Sequence, residues 1–240
     1  MKFNFNNQQF EFSLPKIFPL ISFLITLTIL LGLTTWQLKR LVWKNNLINE
    51  RVNKFESEPR DLDNILTPKD EEFRKVLVKG KLINDFELFM PALSKRGNNG
   101  YHILVPLKTS SGKNIIFDTG WVPLAKKNLE NRKNNLNFSE DEFEAVLRLP
   151  GRKGYFQPEN DPNGNFWFFV QPELMGITLE MKLEENFYLE AVNNGPNGFP
   201  LGNQTRIYLR NNHLQYAITW FLIAVGLIGV FFFANIKKVK

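Results

Sequence analysis

The sequence predicts an α+β membrane protein in which two transmembrane helices flank a largely antiparallel β domain with short helices. Three observations predict it. The apolar residues, 43% of the 240-residue chain, gather at its two ends in uncharged runs. The stretch between those runs divides into short β-branched and aromatic segments separated by Asn, Gly, Pro and Ser. It is also long enough to bury one core of ordinary size.

Residues 1–16, rich in Asn and Phe, are expected to form a cytoplasmic tail. From Ile17 to Trp36 the run "IFPLISFLITLTILLGLTTW" holds no charge, and about 20 residues rising 1.5 Å each match a hydrocarbon core of roughly 30 Å. A cleaved signal peptide has an apolar region of roughly 7–15 residues followed by a small-x-small site, so this longer run is expected to be a retained anchor. No arginine precedes Arg40, which argues against a mitochondrial presequence and for a bacterial source. Residues 37–213 are expected to form an external domain with a helical stalk, because Leu38, Leu41, Ile48, Val52 and Phe55 continue at near-helical spacing until Pro59.

From Phe73 onward, "FRKVLVKGKLI", "FELFMP", "GYHILVPLKT", "KNIIFDTGWVP", "EFEAVLRLP", "NFWFFVQ", "NFYLEAV" and "NQTRIYLR" each read as strands. "VPLAKKNLENRKN" and "QPELMG" read as short helical interruptions with proline near the start, where a missing N–H costs nothing. "PENDPNGN" reads as an exposed turn. Residues 214–234, "LQYAITWFLIAVGLIGVFFFA", form the second uncharged span, and residues 235–240 a basic cytoplasmic tail. The positive-inside comparison is divided. Lys237, Lys238 and Lys240 favour a cytoplasmic C-terminus, whereas Lys39, Arg40, Lys44, Arg51 and Lys54 outnumber Lys2 and Lys16 around the first span. The lean is to both termini inside.

Composition excludes several classes. The chain has no cysteine, two histidines and four methionines, which rules out disulfides, iron–sulfur clusters and a closed transition-metal site built by this chain alone. The net charge of +6 is spread along the chain, so nucleic acid is not expected as a partner, while lipid headgroups are. No P-loop, dinucleotide fingerprint or nucleophile elbow occurs, and no enzyme is expected.

The remaining candidate chemistry gathers at one membrane boundary. At about 100° per residue, His213, Tyr216, Ala217, Trp220 and Ala224 share a face of the second span, and Gly32, Trp36, Lys39 and Trp43 a face of the first. One reading is plain: an aromatic belt at headgroup depth, small residues at a helix crossing, and His213 in a first turn facing water. The other is a cleft for a flat amphipathic ligand such as haem. His213 would then ligate iron, Trp36, Tyr216 and Trp220 would form the walls, and Arg206, Arg210, Lys39 or Arg40 would neutralise the carboxylates. His102, in "GYHILVP", is expected to be a strand residue at the surface or in a satisfied hydrogen bond.

The blocks "LGLTTWQLKRLVWKNNLI", "FRKVLVKGKL", "GYHILVPL", "GWVP", "NFWFFVQPELMG" and "PLGNQTRIYLRNNHLQYAITWF" resemble, in order, those of the Surfeit locus protein 1 family. The resemblance runs from Leu31 to Phe221. It implies a two-span protein of the inner mitochondrial membrane or the bacterial cytoplasmic (inner) membrane, with an external domain, that assists assembly of haem–copper cytochrome c oxidase; with no Arg-rich presequence, the bacterial membrane is expected, with the main domain on the periplasmic side. The implied partners are the oxidase catalytic subunit and the haem a synthesis machinery, and the implied cofactor is transient haem a with His213 as its ligand. A cofactor-free scaffold for the oxidase subunit is the alternative. Trp36, Gly120, Trp121, Trp167, Gln204, Thr205, His213 and Trp220 match the family pattern. Thr119 stands where an arginine is common, Gln171 or Glu173 falls near a usual aspartate, and Gly202–Asn203 stands for a glycine pair.

Overall fold

The structure, a computed structural model, describes residues 2–5, 8–13, 15–94, 96–136, 139–151 and 153–238. In chain order, strands β1 (Lys2–Phe5) and β2 (Gln8–Phe12) precede helix α1 (Ile17–Glu56). Strands β3 (Arg60–Asp61), β4 (Lys75–Leu82), β5 (Leu88–Leu93), β6 (Asn99–Thr109), β7 (Asn114–Pro123) and β8 (Glu140–Arg148) follow. Then come α2 (Pro172–Thr178), β9 (Tyr188–Ala191), α3 (His213–Ala234) and β10 (Ile236–Lys238). The chain forms two compact units, one of residues Met1–Ile48 with Leu209–Lys240 and one of Asn49–Tyr208.

In the first unit α1 and α3 run antiparallel, with Phe23 stacked on Phe231 at 3.8 Å near one end and Asn211 donating to Asn45 at 2.8 Å near the other. Both helices are long and apolar enough to cross a membrane. Leu30 and Gln37 of α1 and Ala217 and Ala224 of α3 are the buried residues of the seam. Small side chains on α3 let the backbones approach. The terminal segments carry strands. β1 and β2 form a hairpin, and β10 adds to β2 with Ile236 opposite Phe12. The alternation of Phe with polar residues in "KFNF" and "QFEF" is a strand period, which accounts for the pairing.

In the second unit the strands close on themselves. β4 pairs with β8, β8 with β9, β9 with β7, β7 with β6, and β6 back with β4 through Gly80–Leu82 opposite Leu107–Thr109. The result is a five-stranded barrel with β5 and β3 added outside the ring. All the ring pairings are antiparallel except β7–β9. Alternation sets the two faces: Ile103, Val105, Leu107, Ile115, Phe117, Leu147 and Leu189 fill the interior. Leu104, Ile116 and Tyr188 point outward and are covered by Trp167, Val170 and Met175.

Two expected strands are absent. "NFWFFVQ" forms only single bridges, Phe166 to Phe89 and to Asp161, because the Asn160 side chain takes the backbone N–H groups of Phe168 and Phe169 that a ladder would need. Trp167 instead inserts wholly into the outer core. "NQTRIYLR" is extended without a ladder. The "VPLAKKNLENRKN" interruption is a pair of 3-10 turns, and "QPELMG" opens α2 with Pro172 in its first turn. In "PENDPNGN", Asp161 accepts from the Gly164 N–H at 3.0 Å and makes the turn. Near the barrel rim Gly120 has φ +117, and a Cβ there would lie 2.2 Å from the Leu201 carbonyl oxygen, so the close Trp121–Leu201 bridge requires glycine.

Candidate functional site at the start of the second apolar helix

His213 is the first residue of α3 and is half-buried. Its Nδ1–H donates to Gln37 Oε1 at 2.7 Å. Gln37 is buried and lies one heptad after Leu30, so it sits on the inward stripe of α1. The hydrogen bond fixes the imidazole tautomer and leaves the Nε2 lone pair for another partner. This is the arrangement by which an outer residue orients a ligating histidine. The sequence reading did not single out Gln37. Its signal was a polar residue in phase with the apolar stripe, just past the uncharged run.

Trp220 is half-buried on the same stripe as His213, whereas Tyr216 and Trp36 are about half exposed. Ala217 and Ala224, on the same face, are packed in the helix seam. Helical phase gives the pattern. Measured from the buried stripes, Trp36, Arg40 and Trp43 on α1 and His213, Tyr216 and Trp220 on α3 turn to the same side of this antiparallel pair, and Lys39 faces away from the seam. Arg40 lies over both Trp36 and Trp43, 5.9 and 5.0 Å from their ring centres. Arg210 donates from Nε and Nη2 to the Asn212 side-chain oxygen at 2.9 and 3.0 Å, with that amide turned to present its oxygen. Arg206 belongs to the barrel unit, where its charge acts on His102. The structure therefore unites His213 with Gln37 and Arg40 with Trp36, and it does not gather all the expected residues around one cavity.

The barrel carries a second polar cluster. His102 Nδ1 meets Asp118 Oδ2 at 2.6 Å, and Asp118 Oδ1 accepts from the Gly120 N–H at 2.9 Å. Glu190 accepts from Tyr188, Arg148 and Thr205 at 2.9, 2.9 and 2.5 Å. Burial alone would lower the His102 pKa, but the Asp118 charge and hydrogen bond, helped by Glu190, outweigh it and raise it. Burial and the Glu190 charge push the Tyr188 phenol well above its ordinary value, so it stays a donor. The expectation of a satisfied hydrogen bond at His102 is met, and Thr205 serves this network.

Together these features define a class: two helices with the length and apolarity to cross a bilayer, joined to a closed β barrel, with a tautomer-fixed histidine opening the second helix. The chain belongs to the SURF1 family, whose model matches residues 24–225. It is 32% identical to Surfeit locus protein 1 of Mus musculus, over 79% of this chain and 67% of that protein. It is 31% identical to Surfeit locus protein 1 of Takifugu rubripes, over 87% and 93%. It is 25% identical to the cytochrome oxidase assembly protein SHY1 of Saccharomyces cerevisiae, over 87% and 72%.

Proposed function

We propose that this protein is a membrane-embedded assembly factor for haem–copper cytochrome c oxidase that holds haem a transiently beside the start of α3. The names and extent of its relatives support the assembly role. The observation that carries the haem reading is the His213–Gln37 hydrogen bond, which spends Nδ1 and leaves Nε2 as the ring nitrogen for a ligand. That donor fits a haem iron. Trp36, Tyr216 and Trp220 would flank the ring, and Arg40 and Arg210 would meet the propionates, with Lys39 as a more remote cation. Bound haem a would supply a coloured, redox-active iron centre. The chain's own part is to present one ligand nitrogen and cationic side chains, and a single histidine ligand suits exchange rather than retention. In this reading both termini lie in the bacterial cytoplasm and the barrel lies on the periplasmic side, facing the oxidase catalytic subunit and the haem a synthesis machinery.

A cofactor-free scaffold is favoured by one observation, the packed Ala217–Ala224 seam, which needs no ligand to be complete. Capture of the oxidase subunit separates the two. A scaffold holds the apo-subunit equally well when haem a synthesis is blocked, and a haem carrier loses that capture or weakens it.

A further inference from the structure

One end of the barrel interior is not filled by side chains. A cavity of about 300 Å³ lies there, walled by the inward-facing Ile103, Val105, Phe117 and Phe143 with Ala191, and closed by the 3-10 segment Leu129–Asn135 and the Gly195–Pro200 loop. Its volume is at the lower end of small-molecule pockets, roughly 300–1,000 Å³. Its polar end is a buried ion pair. Arg132 and Glu87, with side chains 1% and 8% exposed, meet through Nη2 and Oε2. Glu87 Oε1 and Arg132 Nε have no partner, and they are two of the three buried side-chain polar atoms so left among the described residues. Neighbouring lining groups are engaged: Thr119 donates to the Ile103 carbonyl at 2.8 Å, Asn135 to that of Pro196 at 2.6 Å, and Asn194 accepts from the Gly202 N–H at 2.9 Å.

A buried polar atom without a partner carries its full desolvation cost, and more when the group is charged. Here one donor and one acceptor, on two residues that line a chamber held by a closed sheet, are left unpaired. We propose that the chamber is a binding site for a small neutral amphipath whose polar end, a hydroxyl or primary amide, donates to Glu87 Oε1 and accepts from Arg132 Nε–H. Neutrality follows from charge balance. The Glu87–Arg132 pair is already compensated, so a charged head would bring an unpaired charge into the interior. A carboxylate would also face Glu87, with Asp141, Glu142 and Glu144 in the lining, and an ammonium would face Arg132. The site lies within the barrel unit and is independent of any haem at α3.

The test uses the full chain in phosphatidylcholine nanodiscs, labelled at Ile and Val methyls, with hexanamide as probe and hexan-1-ol, hexanoate and hexylammonium beside it. Hexanamide and hexan-1-ol are expected to give saturable shifts at Ile103 and Val105, with the two charged analogues at least about tenfold weaker. Ala191→Leu, which fills the chamber and leaves the ion pair intact, is expected to abolish the shifts. Arg132→Lys, which keeps the pair and removes Nε–H, is expected to weaken hexanamide by at least about tenfold. Absence of saturable shifts, equal shifts in Ala191→Leu, equal binding of the charged analogues, or water cross-peaks alone at these methyls would each overturn the proposal. The charge series uses only the wild-type chain, so it decides even where a variant does not fold.

Discussion

Gln37→Leu removes the acceptor that holds the His213 ring and keeps the helix side chain close in size. In the wild type, Nδ1–H donates at 2.7 Å from a half-buried ring to a buried amide oxygen. Without that acceptor the donor is unsatisfied and the other tautomer, with the proton on Nε2, gains population. Loss of such an orienting partner typically weakens metal binding by about 10–100-fold, which at about 1.4 kcal/mol per tenfold is roughly 1.4–2.7 kcal/mol. Titration of the purified chain with haem a, followed by absorbance, is expected to show that weakening. Gln37→Glu, which retains an acceptor, is expected to bind at least as tightly as the wild type. Helicity by circular dichroism checks that α1 and α3 persist in both variants. Affinity within about twofold of wild type in Gln37→Leu, alongside loss of binding in His213→Ala, would refute the positioning role of Gln37.

Other perturbations read the barrel. Trp167 is wholly buried and donates to Asn165 at 3.0 Å, so Trp167→Ala is expected to cost about 3–5 kcal/mol in denaturant unfolding. Gly120→Ala places a Cβ against the Leu201 carbonyl at a positive φ, and the backbone region alone is expected to cost roughly 1–3 kcal/mol in the same assay. Thr205→Val removes a donor to Glu190 and is expected to destabilise by about 1–3 kcal/mol, with Thr205→Ser restoring most of it. His102 has a raised pKa in the folded chain, so its contribution is complete below its unfolded value of about 6.5 and is lost as pH rises through the folded value. Melting from about pH 6 to about pH 9 is therefore expected to lose more stability in wild type than in His102→Gln.

The sequence made local patterns legible and left closure hidden. Ile17–Trp36 and Leu214–Ala234 announce themselves by length and absence of charge, and strands such as Lys75–Leu82 and Asn99–Thr109 by short β-branched and aromatic runs between turn residues. Ring closure depends on Gly80–Leu82 meeting Leu107–Thr109 and on the parallel β7–β9 contact, pairings between segments far apart that no local period encodes. "NFWFFVQ" has strand composition, yet Asn160, upstream of it, takes the N–H groups of Phe168 and Phe169. At the helix start, spacing placed His213 and Trp220 on the inward stripe with Ala217. It passed over Gln37, whose meaning depends on a partner 176 residues away. Glu87 and Arg132 were invisible for the same reason.

The central claim is that His213 presents a ligand nitrogen to haem a. The most direct measurement is the absorption spectrum of the chain purified from a host that makes haem a, compared with His213→Ala purified in the same way and in equal folded amount. The wild type is expected to show a Soret band that His213→Ala loses. A wild type with no Soret band, or a band retained unchanged in His213→Ala, would contradict it.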